Sequence, residues 1–78
     1  MSDARPLYEI AQDILSDWKR VNYAAAPYLS AMASLDQITD SYGFDSADSV
    51  VRYFLANAGS WRGDVAKQIK AELRGMIK

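Results

Sequence analysis

The chain has 78 residues, half of them hydrophobic, a formal net charge of −1, and neither histidine nor cysteine. That length allows one domain with one modest core. The composition argues against disorder and removes disulfide staples, the usual zinc ligands, the commonest general base and the commonest nucleophile. No run approaches the roughly 20 apolar residues of a membrane span, and Met1 to Pro6 lacks the basic start and apolar run of a secretory signal, so a cytoplasmic protein is expected.

The first predicted helix covers 6–20. Pro6 suits an early helical position, and Leu7, Ile10, Ala11, Ile14, Leu15 and Trp18 fall on one stripe at 3.6-residue periodicity. Glu9, Asp13 and Asp17 occupy the polar face, with Lys19 and Arg20 expected in the last turn, where the helix dipole favours cations. Residues 21–26 read as a connection, because Asn22 and the approach to Pro27 disfavour helix. A second helix is predicted over 27–42, since Tyr28, Ala31, Met32, Leu35, Ile38 and Tyr42 keep one face up to Gly43, read as a left-handed cap. Phe44 leads into a third helix over 46–58, capped by Asp45 or Ser46, with Ala47, Val50, Val51, Phe54, Leu55 and Ala58 on its apolar stripe. Val50, Val51, Tyr53 and Phe54 also favour strands, but the alternation of a half-buried strand is missing. After Gly59, Ser60 is expected to cap a fourth helix over 61–77, apolar along Trp61, Val65, Ala66, Ile69, Leu73, Met76 and Ile77 and basic along Lys67, Lys70, Arg74 and Lys78. The expected fold is all-α, a single small domain of four helices with short connections, as a bundle or an orthogonal array. Leu15, Trp18, Leu35, Phe54, Leu55 and Ile69 are expected to share its core.

The charge is unevenly distributed. Residues 1–51 carry eight acids against three bases, and residues 52–78 carry six bases against two acids. Such asymmetry suits a partner surface, and it equally suits oppositely charged helices packed within one fold. Asp13 with Asp17, and Asp36 with Asp40, are spaced one helical turn apart as a metal or general-base pair requires, yet a di-metal bundle needs inward-facing Glu and His as well. Ser30, Ser34, Ser46, Ser49 and Ser60 have no base to activate them, and the four isolated glycines form no phosphate cradle. No catalytic residue, cofactor, metal or small-molecule substrate is expected. Arg62-Gly63-Asp64 spells the cell-adhesion tripeptide, a match too short to carry weight.

Two candidate surfaces remain. Tyr8, Tyr23 and Tyr53 fall off the apolar stripes, and Tyr53 stands beside Arg52. Tyr and Arg are enriched in protein interfaces, so Arg52 and Tyr53, with Arg62 and Lys67 brought near by the short turn at Gly59-Ser60, form a candidate partner contact. Alternatively, the helix pair over 46–77 resembles a helix-turn-helix, in which Lys67, Lys70 and Arg74 would meet phosphates while Arg62 and Gln68 face bases. Leu55 and Ser60 depart from that motif, and a sequence pI of about 5.1 is far from the basic profile of a nucleic-acid binder.

The runs Leu7-Tyr8-Glu9-Ile10-Ala11, Asp17-Trp18-Lys19, Ala26-Pro27-Tyr28-Leu29, Tyr53-Phe54-Leu55-Ala56-Asn57-Ala58 and Trp61-Arg62-Gly63 resemble small uncharacterised proteins of bacteriophages, notably those of actinobacteria. The resemblance implies phage origin and presence in the host cytoplasm, and it brings no catalytic or binding residues. Together these readings lead to a non-enzymatic interaction protein that binds a host or phage macromolecule and modulates a host process. A small DNA-binding regulator and a self-assembling structural component are the alternatives.

Overall fold

The computed structural model describes residues 5–43 and 45–77, with Tyr42 described by its backbone alone; the sequence readings that involve Met1 to Ala4, Phe44, Lys78 and the Tyr42 side chain lie outside these. The first helix, α1 (Leu7–Asp17), begins directly after Pro6 and buries Leu7, Ile10, Ala11 and Ile14. No side chain caps its first turn. Its leading amides are instead satisfied by another part of the chain, the Leu7 N–H donating to the Asp36 carbonyl at 2.7 Å and the Tyr8 N–H to the Leu35 carbonyl at 2.9 Å. Trp18 leaves the helix in extended conformation while its N–H still reaches the Ile14 carbonyl. Lys19 and Arg20 therefore lie beyond α1 and not in its last turn.

Asn22 organises the connection. Its side-chain oxygen accepts from the Ala24 N–H at 3.0 Å and its carbonyl from the Ala25 and Ala26 amides. The second helix, α2 (Ala26–Met32), carries Pro27 in its first turn, where a missing N–H costs nothing, and buries Leu29, Ala31 and Met32. It ends at Met32, so the single helix expected over 27–42 is corrected. A helix continued through residue 40 would consume the Leu35 and Asp36 carbonyls internally, whereas here they accept from α1. The Asp40 carboxylate, meanwhile, takes the Asp36 and Gln37 amides at 3.2 and 3.0 Å, a local alternative to helix that short acidic side chains favour. Leu35 is still buried and Ile38 still packs against the core, both from a loop.

A two-rung antiparallel pairing follows, β1 (Ser41–Tyr42) against β2 (Asp45–Ser46), with Ser41 opposite Ser46 and Tyr42 opposite Asp45. Gly43, at φ +62°, leaves β1 in the left-handed region and does not cap a helix. The third helix, α3 (Ala47–Ala56), is capped as expected by Ser46, whose hydroxyl accepts the Ser49 N–H at 3.1 Å. It buries Ala47, Val50, Val51 and Phe54, and the β-branched Val50 and Val51 are helical despite their strand preference.

The last helix, α4 (Asp64–Met76), starts later than expected. Its N-cap is Gly63 at φ 116° and ψ 179°, a conformation reserved to glycine, and not Ser60. Trp61 thus precedes the helix. α2 packs on α1 and α3, and α4 packs on α1 and α3. One core unites buried side chains of all four helices with Trp18, Ala25, Leu35, Ala58 and Trp61 from the connections. Of the six residues expected there, Trp18, Leu35, Phe54 and Ile69 are buried, Leu55 is half-buried at the margin, and Leu15 is 51% exposed. The stripe of α1 is narrower than its apolar sequence, because Leu7, Ile10, Ala11, Ile14 and Trp18 already fill the available contact. The Cα radius of gyration is 11.3 Å, close to the roughly 11.5 Å of a compact chain this long. Among the described residues no helix is long and apolar enough to cross a membrane.

Candidate functional site

The connection from residue 57 to residue 63 determines the chemistry of one face. Asn57 closes α3 by donating from its side-chain amide to the Tyr53 carbonyl at 2.8 Å. Trp61 then turns inward and is 2% exposed. Its ring stacks on Trp18 with centroids 5.7 Å apart and meets Phe54 edge-on at 6.4 Å, and its indole N–H donates to the Asp17 carboxylate at 2.8 Å. This anchor leaves the neighbouring Arg62 exposed at the mouth of a groove of about 270 Å³, lined by Trp61, Arg62, Gly63, Ala66, Lys67, Lys70 and Arg74.

The register of α4 supplies the rest. Ala66, Ile69 and Leu73 face the core, and residues 67, 70 and 74 run beside that stripe at helical spacing. Lys70 is the central cation. Its ammonium donates to the Trp61 carbonyl at 2.7 Å and lies 5.9 Å over the Trp61 ring, a cation–π distance. Its pKa is held below the ordinary lysine value, first by partial burial and then by the positive charges of Arg74 and Arg62. The ion pairs found among the described residues join Arg5 to Asp13, Arg5 to Glu72 and Arg52 to Asp48. The groove thus gathers four cations and no lining carboxylate.

A larger cleft of about 560 Å³ lies between α1 and α4, lined by Arg5, Asp13, Ser16, Asp17, Val65, Gln68, Ile69 and Glu72. Arg5 spans it, donating to Glu72 through Nε at 3.0 Å and Nη2 at 2.8 Å, and to Asp13 through Nη1. These bonds, Glu72 first and Asp13 second, raise the guanidinium pKa further above its already high value. Arg5 offsets only part of the charge of Asp13, Asp17 and Glu72, so this cleft is acidic where the other groove is basic. Gln68, grouped with the cations on sequence grounds, lines this cleft and not the basic groove.

The other sequence candidates are distributed as follows. Arg52 pairs with Asp48 one turn back along α3 at 2.8 Å. Tyr53, 53% exposed, lies against Tyr28 of α2 with ring centroids 5.4 Å apart. Arg62 and Lys67 line the basic groove, which neither Arg52 nor Tyr53 lines. Tyr8 and Tyr23 are exposed, Tyr23 at 89%. The aspartate pairs do not converge on any metal-sized site: Asp13 binds Arg5, Asp17 binds the Trp61 indole, and Asp40 binds backbone amides outside any helix. Among the described residues no group of three His, Cys, Asp or Glu side chains is placed to hold a metal. The connection between α3 and α4 runs from residue 57 to 63, longer than the roughly three-to-four-residue turn of a helix-turn-helix.

Sequence reasoning put Trp61 on the apolar face, where it is, but inside the fourth helix and not ahead of it, and it missed the bridging Arg5. The signal for the later helix start was available, since Trp61 is followed at once by Arg62-Gly63 and glycine interrupts the helical pattern there. Comparison with protein-family models, curated proteins and solved structures finds no match, so the likeness to bacteriophage proteins stands on the quoted runs of sequence alone.

Proposed function

We propose that the chain is a non-enzymatic binding protein and that the groove formed by Trp61, Arg62, Lys67, Lys70 and Arg74 is its contact surface for an anionic segment of another protein. The observation that carries this reading is the convergence of four cations on one concavity without a lining carboxylate. An acidic segment of limited length suits it better than a long nucleic acid. Glu9, Asp36 and Asp45 are exposed elsewhere on a chain of net charge −1, and Asp64 is exposed directly after the groove residue Gly63, so an extended polyanion is repelled along its length. In the setting that the sequence resemblance implies, a bacteriophage protein in the host cytoplasm, the partner is a host or phage protein whose activity the contact modulates.

The test is titration calorimetry with a short acidic peptide and with duplex DNA of equal charge, at low and high salt. The reading expects saturable binding of the peptide that is lost in the Arg62→Glu/Lys67→Glu/Arg74→Glu variant. Tighter binding of duplex with a steep salt slope would support the DNA-regulator alternative. Reversible self-association in sedimentation velocity, abolished by the same variant, would instead support self-assembly.

A further inference from the structure

Resting on that reading, we infer that the groove takes a dianionic phosphomonoester, a phosphorylated side chain of the partner, in preference to a carboxylate. The groove is small. About 270 Å³ accommodates a tetrahedral oxyanion and its ester carbon, while a helix or a duplex would have to sit on the rim. Its charge is concentrated, with Arg62, Lys67 and Arg74 lining the same concavity as Lys70, whose hold on its proton is weakened first by burial and then by Arg74 and Arg62. A carboxylate offsets about one charge there. A phosphomonoester carries about −1.5 to −2 at neutral pH and offers three acceptor oxygens, which match the planar donor forks of two arginines.

Lys70 gives the site a fixed centre. With its ammonium tied to the Trp61 carbonyl and lying over a buried indole, less side-chain freedom remains to be lost on binding than for an unrestrained lysine. The contact with Trp61 also gives occupancy an intrinsic optical report, because an anion bound beside Lys70 changes the field at that ring.

The experiment uses three alanine-rich peptides identical except for a central phosphoserine, serine or glutamate, with inorganic phosphate as a fourth probe, followed by calorimetry and tryptophan fluorescence at pH 7.5 and pH 5. The phosphoserine peptide is expected to bind at least about tenfold more tightly than the glutamate peptide. It should lose that advantage in Arg62→Gln/Arg74→Gln, and it should weaken at pH 5, where the phosphate falls to a single charge. Circular dichroism checks that this variant, altered only at exposed positions, keeps its helices. Equal affinity for the phosphoserine and glutamate peptides at the same groove overturns this inference and leaves the acidic-partner reading standing. Absence of binding by every peptide and by phosphate overturns both.

Discussion

Truncation of Phe54 tests the core most directly. Phe54 is fully buried, meets Trp18 edge-on at 6.2 Å and Trp61 edge-on at 6.4 Å, and stands where α3 faces the Trp18–Trp61 stack. Phe→Ala at a buried site costs about 3–5 kcal/mol. The upper half of that range applies, because two aromatic contacts worth about 0.5–1.5 kcal/mol each are lost with the buried area. Domains hold about 0.05–0.15 kcal/mol per residue, so a chain of this length has about 4–12 kcal/mol in total. Phe54→Ala is therefore expected to be largely unfolded or close to it. Phe54→Leu, which keeps most of the volume, should lose about 1–1.5 kcal/mol. The contrast is Leu15→Ala, half exposed on α1, which should cost less than about 1 kcal/mol. Leu55→Ala at the core margin falls between them at about 1–2 kcal/mol. Urea unfolding followed by tryptophan fluorescence and far-UV circular dichroism gives all four values. A loss under about 1 kcal/mol for Phe54→Ala, or equal losses for Leu15→Ala and Phe54→Ala, would refute the packing argument.

Gly63→Ala should destabilise by about 1–3 kcal/mol although a Cβ there meets no neighbour, because its backbone conformation excludes other residues; Gly75→Ala, inside α4 and equally open, should stabilise by about 0.4–1 kcal/mol in the same urea unfolding experiment. Arg5→Ala should cost about 0.5–1 kcal/mol at low salt and less in 1 M sodium chloride, since its partners Asp13 and Glu72 are partly exposed and screened; a salt-independent loss would show that Arg5 acts by packing. Lys70 supplies a pH test. Its folded pKa lies below the unfolded value, so between the two the unfolded state binds more protons and stability rises with pH. The gain as pH climbs through that window toward about 10.4 should be smaller in Lys70→Met than in the parent chain, read as the difference between their denaturation midpoints.

Local rules located four helices and the caps that depend on neighbours in sequence. Pro27 in the first turn of α2 and Ser46 before α3 are cases in which the deciding contact lies within a few residues, so spacing alone finds them. The second helix was over-extended for a different reason. Leu35 and Ile38 do face the core at helical spacing, but the carbonyls that would continue the helix are claimed by Leu7 and Tyr8, residues far away in sequence. Periodicity reports which side chains face inward and not what holds the backbone that carries them. The candidate site was legible in part. Lys67, Lys70 and Arg74 form a face because α4 is regular, whereas Gln68 belongs to the other side of the helix and Trp61, read correctly as apolar-facing, stands ahead of the helix on contacts with Trp18 and Asp17 that local spacing does not show. Tyr53 was read correctly as lying off the apolar stripe, but its neighbour Tyr28 lies on another helix and left no trace in local spacing.

The near-parallel indoles of Trp18 and Trp61, tilted by only 10° at 5.7 Å, have an optical consequence. Transition dipoles this close couple, and the coupled pair contributes a signed near-ultraviolet and far-ultraviolet dichroism that neither chromophore yields alone. Trp18 terminates α1 and Trp61 leads into α4, so the signal exists only while the two ends of the fold are docked. The pair therefore distinguishes native docking from a merely helical collapsed chain, in which the helical bands persist and the exciton contribution is gone.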